Sequence, residues 1–265
     1  MDIGMPTLLE HRNLGETVAL CKSLNLNFIE LNMNLPEYQV EKLDVNKMNE
    51  YREKEGIYFT FHMDENLNVC DLNKRIAEVY TKTVLDTITI AKKVKAPVIN
   101  MHMTNGVYFT LPEKKVYLFS QYYNRYMNKL TEFRDKCEKA IGSSNIRICI
   151  ENEGGYESFT KDGIEVLLES KVFALTFDIG HNYCARKVDE PFIKQNINKL
   201  YHMHIHDAIG KKDHLVLGQG EIHLAKKFML ADACDCRVVL EAKTTEALKE
   251  TVSILPEYYC DGKLQ

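Results

Sequence analysis

The residues able to do chemistry in this chain stand at the ends of short apolar runs. Ile148-Cys149-Ile150 leads into Glu151-Asn152, Leu175-Thr176-Phe177 into Asp178, and Val238-Val239-Leu240 into Glu241. Phe59-Thr60-Phe61 ends in His62 and Ile99-Asn100-Met101 in His102, while Tyr201 opens the alternating series His202, His204, His206. A further run carries Glu30, and His181 follows Asp178 closely. Carboxylates are seldom buried unless paired or bound to a cation. Glu151, Asp178 and Glu241 gathered in one place would repel one another, and a divalent ion resolves that repulsion. A lone His after an apolar strand, such as His62, is more often a hydrogen-bonded core or rim residue. The metal reading therefore rests on the set and not on any single member. His202, His204 and His206 share one face of a strand. They cannot all sit at one depth, so one is expected to ligate and the others to support it or meet a substrate.

For these residues to converge, the runs must be strands. They cover 2–5, 27–33, 58–63, 98–103, 146–152, 173–179, 200–206 and 237–242, and most are rich in Ile, Val or Phe. That is the pattern of parallel strands buried on both faces. Helical spacing fills the gaps. Ile76, Val79, Tyr80, Thr83, Val84, Thr87, Ile90, Ala91 and Val94 predict one amphipathic face. A second helix is expected from Pro112, with Val116, Phe119, Tyr123, Met127, Leu130, Phe133 and Cys137 on its apolar face and Gly142 at its end. Thr245 is the expected N-cap of the last helix, above Leu248, Val252 and Leu255. Strand–helix units repeated eight times predict an α/β protein, a (β/α)8 TIM barrel, as one domain over residues 1–265. No Gly-rich phosphate loop follows the first run, which counts against an open doubly wound sheet. Barrel enzymes carry their chemistry at the C-terminal ends of the strands, where these polar residues stand.

Composition agrees. The 265 residues are close to the roughly 250 of such a barrel. Lys plus Arg is 34 against 38 Asp plus Glu, a net charge of -4, which disfavours nucleic acid as a partner. The first residues show no secretory signal, and no apolar stretch approaches the ~20 residues of a membrane span. The eight Cys have no zinc-site spacing. Free thiols in a cytoplasmic protein without a membrane partner are expected.

Taken in order, Glu151-Asn152, Asp178-Ile179-Gly180-His181, His204-Ile205-His206-Asp207, the His214-x-x-x-Gly218-x-Gly220 stretch and Leu240-Glu241 carry a resemblance. The chain resembles the xylose isomerase-like barrel superfamily over nearly its whole length. That group includes sugar (phosphate) isomerases and epimerases, and endonuclease IV-type abasic-site nucleases. Similarity to its ketose epimerases implies one divalent metal ion, Mn2+, Mg2+, Co2+ or Zn2+, held by Glu151, Asp178, His204 and Glu241. His204 is preferred within its series because Asp207 matches an acid of those enzymes. Glu151 and Glu241 would also be the catalytic acid/base pair. Glu157 and His181 fall where epimerases contact substrate, and His62, His102, His206 and His214 are expected at the same mouth.

The implied reaction is isomerisation or epimerisation of a small sugar or sugar phosphate. The ion polarises the carbonyl, one glutamate removes the neighbouring proton, and the other returns it by way of an enediolate. The alternative is the endonuclease IV-type branch, a three-zinc phosphodiesterase acting on abasic-site DNA, to which His62, His102, His181 and His214 also correspond. Its acid two residues before His214 is replaced by Lys212, with Asp213 displaced by one. That departure and the negative charge favour the sugar branch. A barrel that only binds a sugar or metal would need no opposed glutamates. A homo-oligomer is compatible with the sequence. Lys211-Lys212 would meet either a substrate phosphate or solvent, and Tyr108 and Phe109 would wall the pocket.

Overall fold

The computed structural model describes residues 1–259, so Cys260 lies outside the described residues. In chain order the strands are β1 (Ile3–Pro6), β2 (Phe28–Asn32), β3 (Tyr58–His62), β4 (Val98–His102), β5 (Tyr108–Thr110), β6 (Lys115–Tyr117), β7 (Arg147–Glu151), β8 (Phe173–Asp178), β9 (Leu200–Ile205), β10 (Asp207–Ile209), β11 (Lys212–Leu215) and β12 (Arg237–Leu240). Eight of them, β1, β2, β3, β4, β7, β8, β9 and β12, close into a barrel, and β5–β6 and β10–β11 are two-stranded sheets in the connections. The helices are α1 (Leu14–Ser23), α2 (Val45–Glu55), α3 (Lys74–Val94), α4 (Leu118–Gln121), α5 (Tyr123–Ile141), α6 (Ser158–Leu168), α7 (Ile179–Cys184), α8 (Glu190–Gln195), α9 (Leu224–Ala233) and α10 (Thr245–Ile254). Every barrel strand is followed by a helical segment, which makes the fold a (β/α)8 TIM barrel. Among the described residues no helix is long and apolar enough to cross a membrane.

Side-chain caps start several of these helices. Asn13, Asp44 and Asn73 accept from the backbone N–H of Glu16, Lys47 and Arg75, which satisfies a donor that the first helical turn leaves open. On α10 the cap is Thr244, one residue before the expected Thr245, because the Thr244 hydroxyl accepts from Ala247 N. Gly142 ends α5 with φ +58°, a conformation costly for a residue with a Cβ.

Two expectations fail in the connections. Pro112 does not start a helix: it lies in the turn of the β5–β6 hairpin, closed by Leu111 N–H donating to Lys114 O at 2.8 Å, and helix begins only at Leu118. On α5 the buried face carries Tyr126, Leu130, Phe133, Cys137 and Ile141, while Tyr123 is exposed. On α3 the packed face is Ala77, Thr81, Val84, Thr87, Ile88, Ala91 and Val94, and Ile76 and Val79 point to solvent. The expected Val84, Thr87, Ala91 and Val94 are thus buried, and the first turns depart because Ala77 and Thr81 fill the tight helix–barrel contact there in place of Ile76 and Val79. The seven cysteines within the described residues are free thiols.

Register then positions the site. His102 stands opposite Glu151 between β4 and β7, and Asp178 opposite His204 between β8 and β9. Beneath the mouth the barrel interior is polar and paired: Thr60 Oγ1 donates to Glu30 Oε2 at 3.1 Å, and Thr176 Oγ1 to Asn100 Oδ1 at 2.6 Å. The floor is aromatic. Phe28 stacks on Tyr58 with ring centroids 5.1 Å apart, and its ring lies 6.2 Å from that of His202. Gly4 keeps room for this ring, since a Cβ there would fall 2.6 Å from Phe28. Gly4→Ala should therefore overpack the floor and lower the urea unfolding midpoint, by about 1–3 kcal/mol of stability.

Candidate metal centre at the barrel mouth

Glu151, Asp178, His204 and Glu241 end or follow four consecutive barrel strands, and one ligand atom from each lies within 4.8 Å of the others. Measured from His204 Nδ1, Glu151 Oε1 is at 3.0 Å, Glu241 Oε2 at 3.3 Å and Asp178 Oδ2 at 3.8 Å. Whether these residues suit a cation can be judged from their hydrogen bonds. Glu151 Oε1, His204 Nδ1 and Glu241 Oε2 are buried and have no hydrogen-bond partner. They meet one another at ion-pair distance around His204 Nδ1 without well-formed hydrogen bonds, which makes this point a candidate cation site. Three carboxylates and one imidazole suit Mn2+, Mg2+, Co2+ or Zn2+.

Each ligand is held from behind. His204 Nε2 is 2.7 Å from Glu30 Oε1, so Glu30 turns the Nδ1 side of the ring toward the mouth. The other Glu30 oxygen lies 2.9 Å from His202 Nε2. Asn100 donates to Glu151 Oε2. Asn152 is bonded to the backbone of Asp178 in both directions, at 2.9 Å each. Asp178 in turn caps α7 by accepting from His181 N. The His202–His204–His206 series thus divides by depth. His202 lies deepest, on Glu30, and His204 faces the centre. His206 accepts from His214 N through Nδ1 and lies 3.0 Å from Asp178 Oδ2 through Nε2. Gly180 lets that ring in, since a Cβ there would fall 2.0 Å from His206 Cε1.

Charges follow the same geometry. Burial alone would raise the Glu151 carboxyl, but the imidazoles of His204 and His102 hold it well below the usual carboxylate range. Burial disfavours a charged His204, yet Glu151, Glu30 and Glu241 draw a proton onto it and carry it well above the usual imidazole range. His102 is likewise lowered by burial but raised by Glu151, to about 9 overall. Burial lowers His214 to about 4. A proton on His204 and a divalent ion answer the same negative charge and compete for the same atom.

A cavity of about 670 Å³ opens above this centre. His62, His102, His181 and His214 line it, with Glu30, Glu151 and Glu241 at its base and Lys243 on its rim. His62 Nε2 and His102 Nε2 lie 3.3 and 3.1 Å from Glu151 Oε2. His206 does not line the cavity, being buried against Asp178. Glu157 does not line it either: it stands before α6, beside Tyr117. Glu153, nearer the strand end, lines the mouth instead. Lys211 and Lys212 are exposed on the β10–β11 hairpin, and Tyr108 and Phe109 are exposed on β5, all away from the cavity. Asp207 is buried and accepts from the backbone N–H groups of Ala208, Gly218, Gly220 and Ile222. It shapes the Gly-x-Gly loop, where a Gly220 Cβ would fall 2.3 Å from Asp207 Oδ1.

Asn100, Lys243 and Glu30 belong to the site as well, although no motif points to them. Lys243 Nζ is 2.9 Å from Glu241 Oε1. Asn100 and Glu30 were visible as polar residues inside apolar strands, and that was the signal for both.

Fold and site together define a TIM barrel with a carboxylate–histidine centre at the C-terminal ends of its strands. Residues 18–258 match the xylose isomerase-like TIM barrel family, and the chain belongs to that family. An uncharacterized protein of Methanocaldococcus jannaschii is 31% identical over 172 residues, covering 62% of this chain and 62% of that protein, less than two thirds of its length. Among solved structures, a D-tagatose 3-epimerase-like protein superposes with a TM-score of 0.78 at 22% identity, covering 97% of both chains. The IOLI protein, in a structure with a bound zinc atom, superposes with a TM-score of 0.72 at 15% identity, covering 98% of this chain and 99% of that one. At these identities the likeness is one of fold.

Glu30→Gln should weaken metal binding by roughly 10–100-fold, measured by Co2+ titration followed by visible absorption. A Glu30→Gln protein that binds Co2+ as tightly as the parent would remove Glu30 from the centre. Stripping the protein with a chelator and restoring Mn2+ to about 100 times its Kd should stabilise the fold by about 2.7 kcal/mol, seen as a rise in Tm.

Proposed function

We propose that this protein is a divalent-metal-dependent isomerase or epimerase of a small sugar or sugar phosphate. The observation that carries this reading is the pair of glutamates. Glu151 and Glu241 are the outer members of the four-strand set, and each aims one unpartnered oxygen at a common point between them. A protein that only held a metal or a sugar would not need two carboxylates flanking the bound molecule. When bound, the ion would supply Lewis-acid polarisation of a substrate carbonyl.

The chain's own residues do the rest. One glutamate, as the carboxylate, takes the proton from the carbon next to the carbonyl, and the other, having first taken a proton from solvent, delivers it to the opposite face or to the adjacent carbon; the first then returns its proton to solvent. Their remaining oxygens are fixed, Glu151 Oε2 by Asn100 and Glu241 Oε1 by Lys243, so each carboxylate stays in one orientation through the transfer. The cavity lies within the roughly 300–1,000 Å³ typical of small-ligand pockets. Thr7, Asn32, Asn34, Glu65 and Glu153 around it offer hydrogen-bonding groups for hydroxyls. The sugar-epimerase activity named for the D-tagatose 3-epimerase-like structure is in keeping with this reading.

A second reading is a three-zinc phosphodiesterase. Specific contacts favour it: His62 and His102 converge on Glu151 Oε2, and His62 Nδ1 is 2.9 Å from Met63 O, an arrangement common for metal-bound His. His181, His206 and His214 form another group with metal-ligand spacing, and Asp213 Oδ2 lies 3.9 Å from His181 Nε2.

Metal content separates the two. One ion per chain is expected, and three zincs, with salt-sensitive incision of abasic-site DNA, would establish the second reading. With excess metal, NMR in D2O of a panel of ketoses and their phosphates should show deuterium entering the carbon beside the carbonyl. Glu151→Gln and Glu241→Gln should each slow that exchange by about 100–10,000-fold. Exchange that survives both substitutions would refute the acid/base assignment.

A further inference from the structure

Away from the mouth, positive charge gathers on one flank of this acidic chain. A cavity of about 330 Å³ lies between α7, α8 and α9, and Lys187, Lys194, Lys226 and Lys227 line it. Among the described residues Glu190 is the one carboxylate in that lining, and it already serves two of the four, Lys194 Nζ at 2.9 Å and Lys227 Nζ at 3.5 Å. Among the described residues Lys187 and Lys226 pair with no carboxylate. Four ammonium groups against one carboxylate leave three positive charges unbalanced, in a chain whose net charge is -4. The cavity is distinct from the metal centre: α7 presents His181 to the mouth and Asn182 to this flank.

Long charged side chains ordinarily carry their heads to water. Lys227 does not: its side chain is 17% exposed, and its ammonium lies 4.8 Å from the centre of the Phe177 ring. Burial pulls that ammonium below the usual lysine range, Glu190 opposes the shift, and Lys194 and Lys187 add to it. Asn182 is 2% exposed, its Nδ2 donates to Glu190 Oε2 at 3.4 Å, and its Oδ1 has no hydrogen-bond partner. A buried acceptor without a donor is costly, and on a cavity wall it is one that a ligand hydroxyl can satisfy. Ile222 and His223 line the cavity at the start of α9, which has no side-chain cap and no acid in its first turn. The positive end of that helix is therefore open to an anion. Arg186 and Lys187 both hold left-handed backbone, φ +58° and +61°, in a turn closed by Lys187 N–H donating to Asn182 O at 2.7 Å. Residues with a Cβ rarely adopt that conformation, and here it carries Lys187 to the cavity.

We propose that this cavity binds a small phosphorylated polyol, with the phosphate among the four lysines and a hydroxyl donating to Asn182 Oδ1. A phosphomonoester carries about -1.5 to -2 charge at pH 7, and so offsets most of the unbalanced charge. A carboxylate would offset only one of the three charges, and a neutral polyol none. The volume is at the small end of the roughly 300–1,000 Å³ of ligand pockets, which suits a ligand of a few carbons. Ile179, Ile222 and Leu230 supply an apolar wall for its carbon chain. This site does not rest on the reaction proposed for the metal centre.

Equilibrium dialysis of the chelator-stripped full chain against radiolabelled glycerol 3-phosphate tests this. The probe should saturate a single site per chain. Methyl phosphate, which lacks the hydroxyls, should compete about tenfold more weakly, and glycerol should not compete. Lys227→Met, which keeps the buried stem, should weaken binding roughly 10–100-fold. The exposed pair Lys187→Gln with Lys226→Gln should do the same, and unchanged circular dichroism and Tm would show that it is folded. Lys211→Gln with Lys212→Gln removes equal charge from the β10–β11 hairpin and should leave binding as it is. Failure of glycerol 3-phosphate to bind, or binding that survives the change at Lys187 and Lys226, overturns the proposal. An equal loss in the hairpin control overturns it too, since the phosphate is then held by net charge or elsewhere. Methyl phosphate competing as well as glycerol 3-phosphate refutes the hydroxyl contact at Asn182 and with it the polyol.

Discussion

Negative charge gathered at the top of the barrel is the constraint from which most of this structure follows. Glu30, Glu151 and Asp178 are fully buried and Glu241 nearly so, and all four surround one imidazole. Carboxylates in that setting need positive partners. In the protein alone, His204 supplies one by holding a proton far more tightly than a free imidazole would. A divalent cation would supply two charges at the point where Glu151 Oε1, His204 Nδ1 and Glu241 Oε2 meet. Metal uptake at this point would have to release the His204 proton, so affinity would fall as pH falls.

The barrel is the device that allows such a concentration of charge. Parallel strands deliver each side chain at a set height, and register fixes the neighbours, His102 beside Glu151 and Asp178 beside His204. Glu151, His204 and Asp178 each lean on a residue from another strand or its end, Asn100, Glu30 and Asn152. Glu30 of β2 reaches across the barrel to His202 and His204 of β9, 172 residues away in the case of His202. Loops finish the job: Asp207 gathers backbone N–H groups of the Gly-x-Gly segment, and His206 Nδ1 accepts from His214 N and so holds His214 at the mouth.

What was legible in the sequence, and what was not, follows from range. Strands buried on both faces read as continuous apolar runs, so the barrel strands were found within one or two residues. Glu151, Asp178, His204 and Glu241 were visible because a charged residue ending such a run is conspicuous. The β5–β6 hairpin was not, because Val116, Phe119 and Tyr123 also fit a helical spacing and Pro112 suits a first helical turn as well as a hairpin turn. The choice is made by tertiary packing, with Tyr117 set against Phe159. Glu157 was placed by the family resemblance, but the chain turns at Gly155, with φ +105°, before reaching it, and Glu153, nearer the strand end, lines the mouth. Partnership across the barrel, as for Glu30, leaves no local trace at all.

The same charge count bears on how many ions the mouth accommodates. Four carboxylates face Lys243, whose ammonium sits on Glu241, and His102, which Glu151 keeps protonated up to about pH 9. Burial opposes a charge on His62 and His206, yet Glu151 and Asp178 raise both as well, so protons already offset much of that negative charge before a metal is added. Three divalent ions would displace the imidazole protons and still leave an excess of positive charge. That excess suits an anionic phosphodiester, whose own charge would complete the balance. Asn100 weighs on the side of one ion. It already donates to Glu151 Oε2, the oxygen that a second ion between His62 and His102 would need to share. Under the proposed function, the geometry around that one oxygen is in keeping with a single ion.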